Sequence, residues 1–517
     1  MIATRLKAKL VLGILLILVF LLQVSPVISN SVYFGFDQGL DQLLVRRLVV
    51  DHKFSLVGRY SGLQGVLMGP LWTLGNSIPF IFSKGDPAAN VLFWSFISLV
   101  FAGFFIHLIK RKIGVAIWPI VIFFLFSQTF IDAPRIVTSP NPLVFISPFL
   151  IYCLFEIVKN NGKRLLIVAW ILIGIFFQLE IAFAIYTPIL LLLTLIIFCG
   201  IKSLVNKYNL IGIFVFILSL GPQLIFDLRH NFLMTRGLLG FFLNTNNSLM
   251  TSNYSLFDRT ISRIGSLIGD ATLYALFPRV PILSIALAFL CLIGWILIWK
   301  GKPKLRLLLK LLLLTLAVFY VGFIFYPGTI WQWYRAGLPI VFILLVGIPL
   351  GYFWNKNFIS KSISIGFCIL FVFQSLSRFN FPLSLIKSED NFVGSLGNQK
   401  RIIDYIYMQA NGNDFNYYVY TPPVYDYIWQ YDFIWYGQDK YVKLPSNWAM
   451  SVPLLGIGSQ LKPPSLNTKD QLFLIIEPNR ERPGESQFWR DSFIKIGDVI
   501  SRKIFPGNIV VERRMIY

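Results

Sequence analysis

The sequence predicts an α-helical, polytopic membrane protein that ends in a small soluble α/β domain. Two features of composition and one of pattern carry that class. The 517 residues are 56% hydrophobic with a mean hydropathy of +0.68, where a soluble chain is nearer about 45–50% apolar. Only 14% are charged, against about 25% in soluble domains. The apolar residues are gathered into long runs, and the short segments between runs are basic. This excludes a disordered, collagenous or disulfide-rich secreted chain, and argues against a soluble enzyme of this size. The formal net charge of +22 is explained by basic cytoplasmic loops, without nucleic acid as a partner. Cys153, Cys199, Cys291 and Cys368 all lie in apolar runs, so no disulfide framework is expected.

Eleven charge-poor runs are candidate spans: Leu10–Val27, Ala88–Ile109, Ile113–Ile131, Pro142–Val158, Leu165–Phe177, Ile181–Cys199, Leu210–Phe226, Val280–Trp299, Leu307–Phe325, Leu338–Trp354 and Ser362–Leu376. Basic clusters at Arg5–Lys9, Lys110–Lys112, Lys159–Arg164, Lys202–Lys207, Lys300–Arg306 and Lys356–Lys361 fall at alternate ends. All can be cytoplasmic at once if the N-terminus is inside, which puts the C-terminus outside. The expected setting is the plasma (inner) membrane. The stretch from Leu165 to Cys199 is too long for one span and both flanks are basic, so it must turn back near Gln178–Glu180. Leu63–Phe82 is apolar but broken by Gly65, Gly69-Pro70, Gly75 and Pro79, which disfavour a continuous helix. It is expected to lie in the outer interface. The first run is longer than a signal-peptide core and no A-x-A site follows it, so a retained span is expected.

This organisation gives a membrane part over residues 1–376, with a first outer loop at 28–87, and an outer domain over 377–517. The loop Asp227–Arg279 carries a helical pattern with Leu256, Ile261, Ile264 and Leu267-Ile268 on one face. In the tail, helical periodicity at Ile402-Ile403 and Ile406-Tyr407 precedes strand-like runs at Tyr417–Tyr420, Leu472–Ile476 and Ile509–Val511.

The spans hold almost no ionisable groups at mid-depth, which weakens a transporter reading. Polar residues gather instead at the outer face. Asp37 and Asp41 in the first loop are four apart and share a helix face, above an apolar stripe of Leu40, Leu43 and Leu44. Asp37 would either cap that helix or act as a general base just outside the membrane, partly desolvated. Arg135, Arg229 and Arg335 sit at outer ends of spans, where a membrane-anchored phosphate or a lipid headgroup would lie. Trp331 and Tyr334 fit either an aromatic belt or a sugar-stacking surface. The ring-rich stretch Tyr425, Tyr427, Trp429, Tyr431, Phe433, Trp435 and Tyr436 fits a surface packed on the membrane part or an acceptor-binding face.

Several of these segments together resemble a known family. Phe36-Asp37-Gln38-Gly39-Leu40-Asp41, then Leu56-Val57-Gly58, Gly65 and Gly69-Pro70-Leu71, is similar to the first-loop pattern of GT-C-fold membrane glycosyltransferases. The likeness is to the bacterial relatives of protein O-mannosyltransferases and aminoarabinose transferases. Asn141-Pro142, Phe177-Gln178-Leu179-Glu180 and Phe226-Asp227-Leu228-Arg229-His230-Asn231-Phe232 follow in order. The match covers roughly residues 1–240, and later spans by architecture alone.

The resemblance implies an inverting glycosyltransferase of GT-C-like fold. It would move a sugar from a polyprenyl-phosphate donor to a glycan, lipid or protein acceptor at the outer face. It makes Asp37 the catalytic base. Asp41, Arg135, Gln178, Glu180, Arg229, His230, Trp331, Tyr334 and Arg335 are the substrate-binding candidates, with Arg229 on the lipid phosphate. Relatives often carry an arginine followed a few residues later by an Asp before the fourth span. Here Arg135 is followed by Asn141, and a second acid from that loop is absent unless Asp132 substitutes, which argues against a divalent metal ion. If one binds, Asp37, Glu180 and Asp227 are its candidate ligands, with Asp41 and His230 in reach of the same role. No other cofactor is expected; membrane lipids are the remaining partner. The competing readings are an O-antigen-type polymerase or ligase, and a lipid-linked sugar flippase or transporter.

Overall fold

Apolar runs of this length fold as helices because a bilayer offers backbone N–H and C=O groups no other partner. The computed structural model describes residues 2–62, 65–160, 162–242, 255–326, 328–387, 392–422, 425–446, 471–479, 482–491 and 497–516. Residues 63–64 of the Leu63–Phe82 stretch, 243–254 of the loop Asp227–Arg279 and 447–470 of the tail lie outside it.

All eleven runs contain helix, but they differ in length. Seven helices are long and apolar enough to cross a membrane: Leu6–Ile28, Pro87–Lys110, Leu143–Asn160, Ile181–Cys199, Pro281–Gly301, Pro303–Phe325 and Phe358–Leu385. Lys207–Ser219 and Gly221–Arg229 make an eighth if taken as one span bent by 52°. The bend falls at Gly221-Pro222, where proline removes a backbone donor. Leu165–Leu179 and Pro339–Trp354 are shorter apolar helices. The run Ile113–Ile131 is split into Trp118–Leu125 and Gln128–Arg135, because Ser127 caps the second piece by accepting from Phe130 N (3.3 Å).

The basic corners meet at one end of the bundle. Lys112 pairs with Glu156 (2.9 Å), and Ala116 N donates to Gly351 O (3.2 Å) close to the Lys356 corner. At the opposite end the first loop forms two helices, Phe36–Val49 and Leu71–Ser83. The second has 13 residues, about 20 Å at 1.5 Å each and short of the ~30 Å bilayer core. Its Leu71, Leu74, Ile78, Ile81 and Phe82 form an exposed apolar row, as an interfacial helix requires. Helix Leu256–Ala275 likewise exposes Leu256, Ile261, Ile264 and Ile268 while burying Arg263, Asp270 and Tyr274 on its other side.

The small α/β domain at the C-terminal end has helix Leu396–Ala410 packed on four strands: β1 (Phe415–Tyr420), β2 (Gln471–Ile476), β3 (Gly497–Phe505) and β4 (Ile509–Ile516). Their order is β1-β2-β4-β3, with β1 and β2 parallel and the other pairs antiparallel. The ring-rich stretch is helical over Tyr427–Asp432 and continues as a π-turn over Phe433–Gly437. It buries Tyr427, Trp429, Tyr431 and Phe433, which makes it a packing surface.

This stretch sits directly on the first-loop helix. Gly39 is the contact point: a Cβ there would lie 2.7 Å from Ile428 N, so only glycine permits the approach. Phe36 packs its ring 5.0 Å from that of Tyr427. Backbone bonds add to the docking, from Phe34 N to Gly394 O (2.7 Å) and Leu396 N to Val32 O (2.9 Å). Gln399 Nε2 also donates to Phe34 O (2.9 Å).

Candidate active site

The first-loop helix begins at Gly35, whose N–H donates to Gln38 Oε1 (3.0 Å). Gly35, and not Asp37, is therefore the N-cap. Asp37 stands in the first turn, where the helix dipole favours negative charge. Its carboxylate pairs with Arg59 (Oδ1 to Nη1 3.0 Å) and its side chain is 48% exposed, while that of Arg59 is 10% exposed. Asp41, one turn further, is buried. Its Oδ2 accepts from Trp72 Nε1 (2.7 Å) and lies 3.9 Å from Arg59 Nη1. Burial pushes the Asp41 carboxyl up to about 6, against the pull of Arg59 and the Trp72 bond.

Glu180 closes the same cluster from the turn between helices Leu165–Leu179 and Ile181–Ala184. It is buried and accepts from Ala182 N (3.2 Å). Burial pushes its carboxyl up to about 7, opposed by that bond and by Arg59. Burial works against the charge of Arg59, but Asp41, Asp37 and Glu180 together outweigh it. Its Nε is buried without an acceptor in hydrogen-bond alignment, so the guanidinium keeps donor capacity beyond the ion pair that Nη1 makes with Asp37.

A shared apolar cluster explains why these groups converge. Val57 and Leu67 of the first loop, Ile181 next to Glu180, Phe226, Tyr326 and Tyr334 pack together. Tyr334 is buried, and its hydroxyl approaches Gly62 so closely that a Cβ there would lie 2.1 Å away. The turn expected at Gln178–Glu180 is therefore present. It meets the first loop, the end of helix Gly221–Arg229 and the Tyr326–Tyr334 segment at one end of the bundle.

The remaining predicted residues divide. Gln178 is buried, donates to Ser219 O and Gln223 Oε1 (both 2.8 Å) and sits against Gly69; it clamps helices to the first loop. Arg135 donates to Leu22 O (2.8 Å) and Ser25 Oγ (2.9 Å) and stacks over Phe379 (4.8 Å). Asp132, the possible substitute acid of that loop, faces Arg135 (3.7 Å). Arg335 forms a buried ion pair with Asp270 (3.0 Å), which Tyr320 also contacts through its hydroxyl. These two arginines are engaged within the fold.

Arg229 and His230 are exposed at the end of their helix. His230 Nδ1 lies 2.8 Å from Phe226 O, and its ring stacks on Phe226. Asp227 is buried and takes the backbone N–H of Met234 (2.6 Å) and the hydroxyl of Thr235 (2.6 Å), so it caps the next helix. The metal candidates Asp37, Glu180 and Asp227 do not form one ligand set: among the described residues, no three Asp, Glu, His or Cys side chains come close enough together to hold a metal ion. Trp331 and Trp333 are half-exposed and stacked on each other, with centroids 4.9 Å apart and planes 5° from parallel.

Sequence reasoning missed Arg59. It is a single arginine in a loop, with no spacing that sets it apart. The one available signal was its place directly after the Leu56-Val57-Gly58 match.

No family model matches the sequence, and no curated protein matches it. Solved structures do match the fold. The crystal structure of ArnT from Cupriavidus metallidurans bound to undecaprenyl phosphate superposes with a TM-score of 0.59 at 11% identity, covering 98% of both chains. The same protein in the apo state gives 0.57 at 12% identity, over 99% of this chain and 98% of that one. The chain thus has the fold of ArnT from end to end, the architecture that the first-loop resemblance implied.

Proposed function

We propose that this protein is a glycosyltransferase that moves a sugar from a polyprenyl-phosphate donor to an acceptor hydroxyl at the outer face of the plasma membrane. The observation that carries the reading is the half-exposed Asp37 carboxylate held 3.0 Å from Arg59, in the fold of a protein crystallised with undecaprenyl phosphate. The orientation proposed puts residues 1–376 in the membrane with the N-terminus inside. The 377–517 domain is then outside, above the site.

The chemistry is a single displacement at the anomeric carbon. The acceptor oxygen attacks, and its proton passes to Asp37 Oδ. The new C–O bond forms as the bond to the lipid-phosphate oxygen breaks, with inversion. Asp37 accepts that proton because it is reachable from solvent, whereas Asp41 is buried and bonded to Trp72. Charge grows on the departing phosphate and needs cations. Arg59 supplies a cation beside the base, with its Nε not aligned on any acceptor. Arg229, exposed at the same end of the bundle, is the proposed contact for the lipid phosphate. The stacked Trp331 and Trp333 offer a flat apolar face for a sugar ring.

The test is incubation of the purified protein with a panel of polyprenyl-phosphate sugars. Release of free polyprenyl phosphate from one of them, dependent on an added acceptor, is the expected result. Donor binding without release from any member, in the presence of a cell-envelope acceptor extract, would move the protein to the flippase or transporter class.

A further inference from the structure

Beyond Asp37 and Asp41, the same face of the first-loop helix continues toward its C-terminal end with Leu44 and Leu48. Between this helix and helix Leu71–Ser83 runs a shallow groove, partly open to solvent. Its walls are Leu44, Leu48, Phe54, Val57, Pro70 and Leu74, and Arg47 and Lys53 stand on its rim. The two cations differ from their neighbour Arg46, which is neutralised by Asp51 (3.3 Å). Among the described residues no carboxylate comes within ion-pair distance of Arg47 or Lys53. Phe54 is 58% exposed beside the groove, and the exposed apolar row of helix Leu71–Ser83 continues from it. An apolar trough in an interfacial element, with two unpaired cations at its edge, is complementary to one kind of molecule: an anionic lipid whose chain fills the trough and whose phosphate meets the rim.

From this we infer that the groove is a binding site for an anionic phospholipid of the surrounding membrane, separate from the donor site. The lipid would bear on the site through one bond. Trp72, on the Leu71–Ser83 helix, donates to Asp41, on the first-loop helix (2.7 Å), so the Asp41–Trp72 contact ties together the two helices that wall the groove. An acyl chain between them holds that contact in register. Arg47 and Lys53 act as lipid-binding residues and do not touch the reacting atoms.

The test uses the full-length protein in mild detergent, offered equal amounts of phosphatidylglycerol and phosphatidylcholine, with lipid retention read by native mass spectrometry. Retention is independent of any transfer reaction, so its outcome is distinct from that of the functional reading. The parent protein should retain phosphatidylglycerol preferentially. Arg47→Gln with Lys53→Gln should weaken that retention about 25-fold, roughly fivefold for each cation. Leu74→Trp, which fills the trough without changing charge, should also lower it. Lys202→Gln with Lys207→Gln, at the other end of the bundle, should leave it unchanged. The inference is overturned if the parent shows no preference, or if either groove variant, checked as folded by its thermal unfolding, retains lipid as the parent does. It is equally overturned if the distant pair loses as much, or if undecaprenyl phosphate displaces the retained lipid and so claims the groove for the donor.

Discussion

Arg59 is the residue on which the site turns. It carries the charge opposite Asp37 and Asp41 and feels Glu180 as well. Replacing it with glutamine removes the cation that holds the Asp41 carboxyl down; with Arg59 present, burial already lifts that group to about 6. Without it the carboxyl takes its proton at still higher pH. Arg59→Gln also removes the cation beside Asp37, and turnover at neutral pH should fall about ten- to a hundredfold, the loss expected for one charge-assisted contact. Arg59→Lys should recover only part of the rate, since an ammonium is a single point charge where the guanidinium is a planar fork. Turnover at the parent rate in Arg59→Gln would make Arg59 a structural residue only. Arg229→Ala is the companion test: donor binding by titration should weaken by a similar factor while the fold holds.

The elements show what the sequence could and could not reveal. Spans were legible because charge and hydropathy alternate over twenty residues, a signal that no local detail erases. The turn at Gln178–Glu180 followed from two basic flanks around an overlong run. Strand β3 was not legible: Asp498, Ser501, Arg502 and Lys503 give it no apolar alternation, because it is an edge strand paired only with β4. The docking of the tail on the first-loop helix was equally hidden, since it rests on the absent side chain of Gly39. Gly39→Ala should push Ile428 away and cost about 1–3 kcal/mol, read as a lower Tm and faster proteolytic release of the tail. Beside that contact, Asp432 is buried with neither carboxylate oxygen hydrogen-bonded. Burial pushes its carboxyl well above the ordinary range, with Lys400 only partly opposing. Such an acid keeps its proton in the fold and loses it on unfolding. Its contribution to stability therefore falls as pH rises above about 4. Asp432→Asn should raise the Tm at pH 7–8 and change it little near pH 4; an unchanged or lower Tm at pH 8 would mean that the carboxylate finds a partner there.

At the scale of the whole molecule, the candidate site residues gather at one end of the helical bundle, and basic corners meet at the other. That polarity was readable from Lys110–Lys112, Lys202–Lys207 and the other clusters; the convergence of Asp37, Glu180 and Tyr334 needed the fold, because they lie far apart in sequence. The orientation makes a direct prediction in a Cys199→Ser background. A cysteine at Asn413, exposed in the tail domain, should react with a membrane-impermeant thiol reagent in cells whose outer barriers have been opened. One at Lys163, in a basic corner, should not; the reverse pattern would invert the topology. The central claim is that Asp37 takes the proton of the attacking hydroxyl, and Asp37→Asn tests it most directly. Asparagine keeps the shape of the side chain, and Gly35 rather than Asp37 caps the helix, so the fold has little to lose. With the donor that the parent protein turns over, the purified variant should bind normally and melt at the parent temperature while its rate falls about 10²–10⁴-fold. Transfer at the parent rate would contradict the account and pass the base to Asp41 or Glu180.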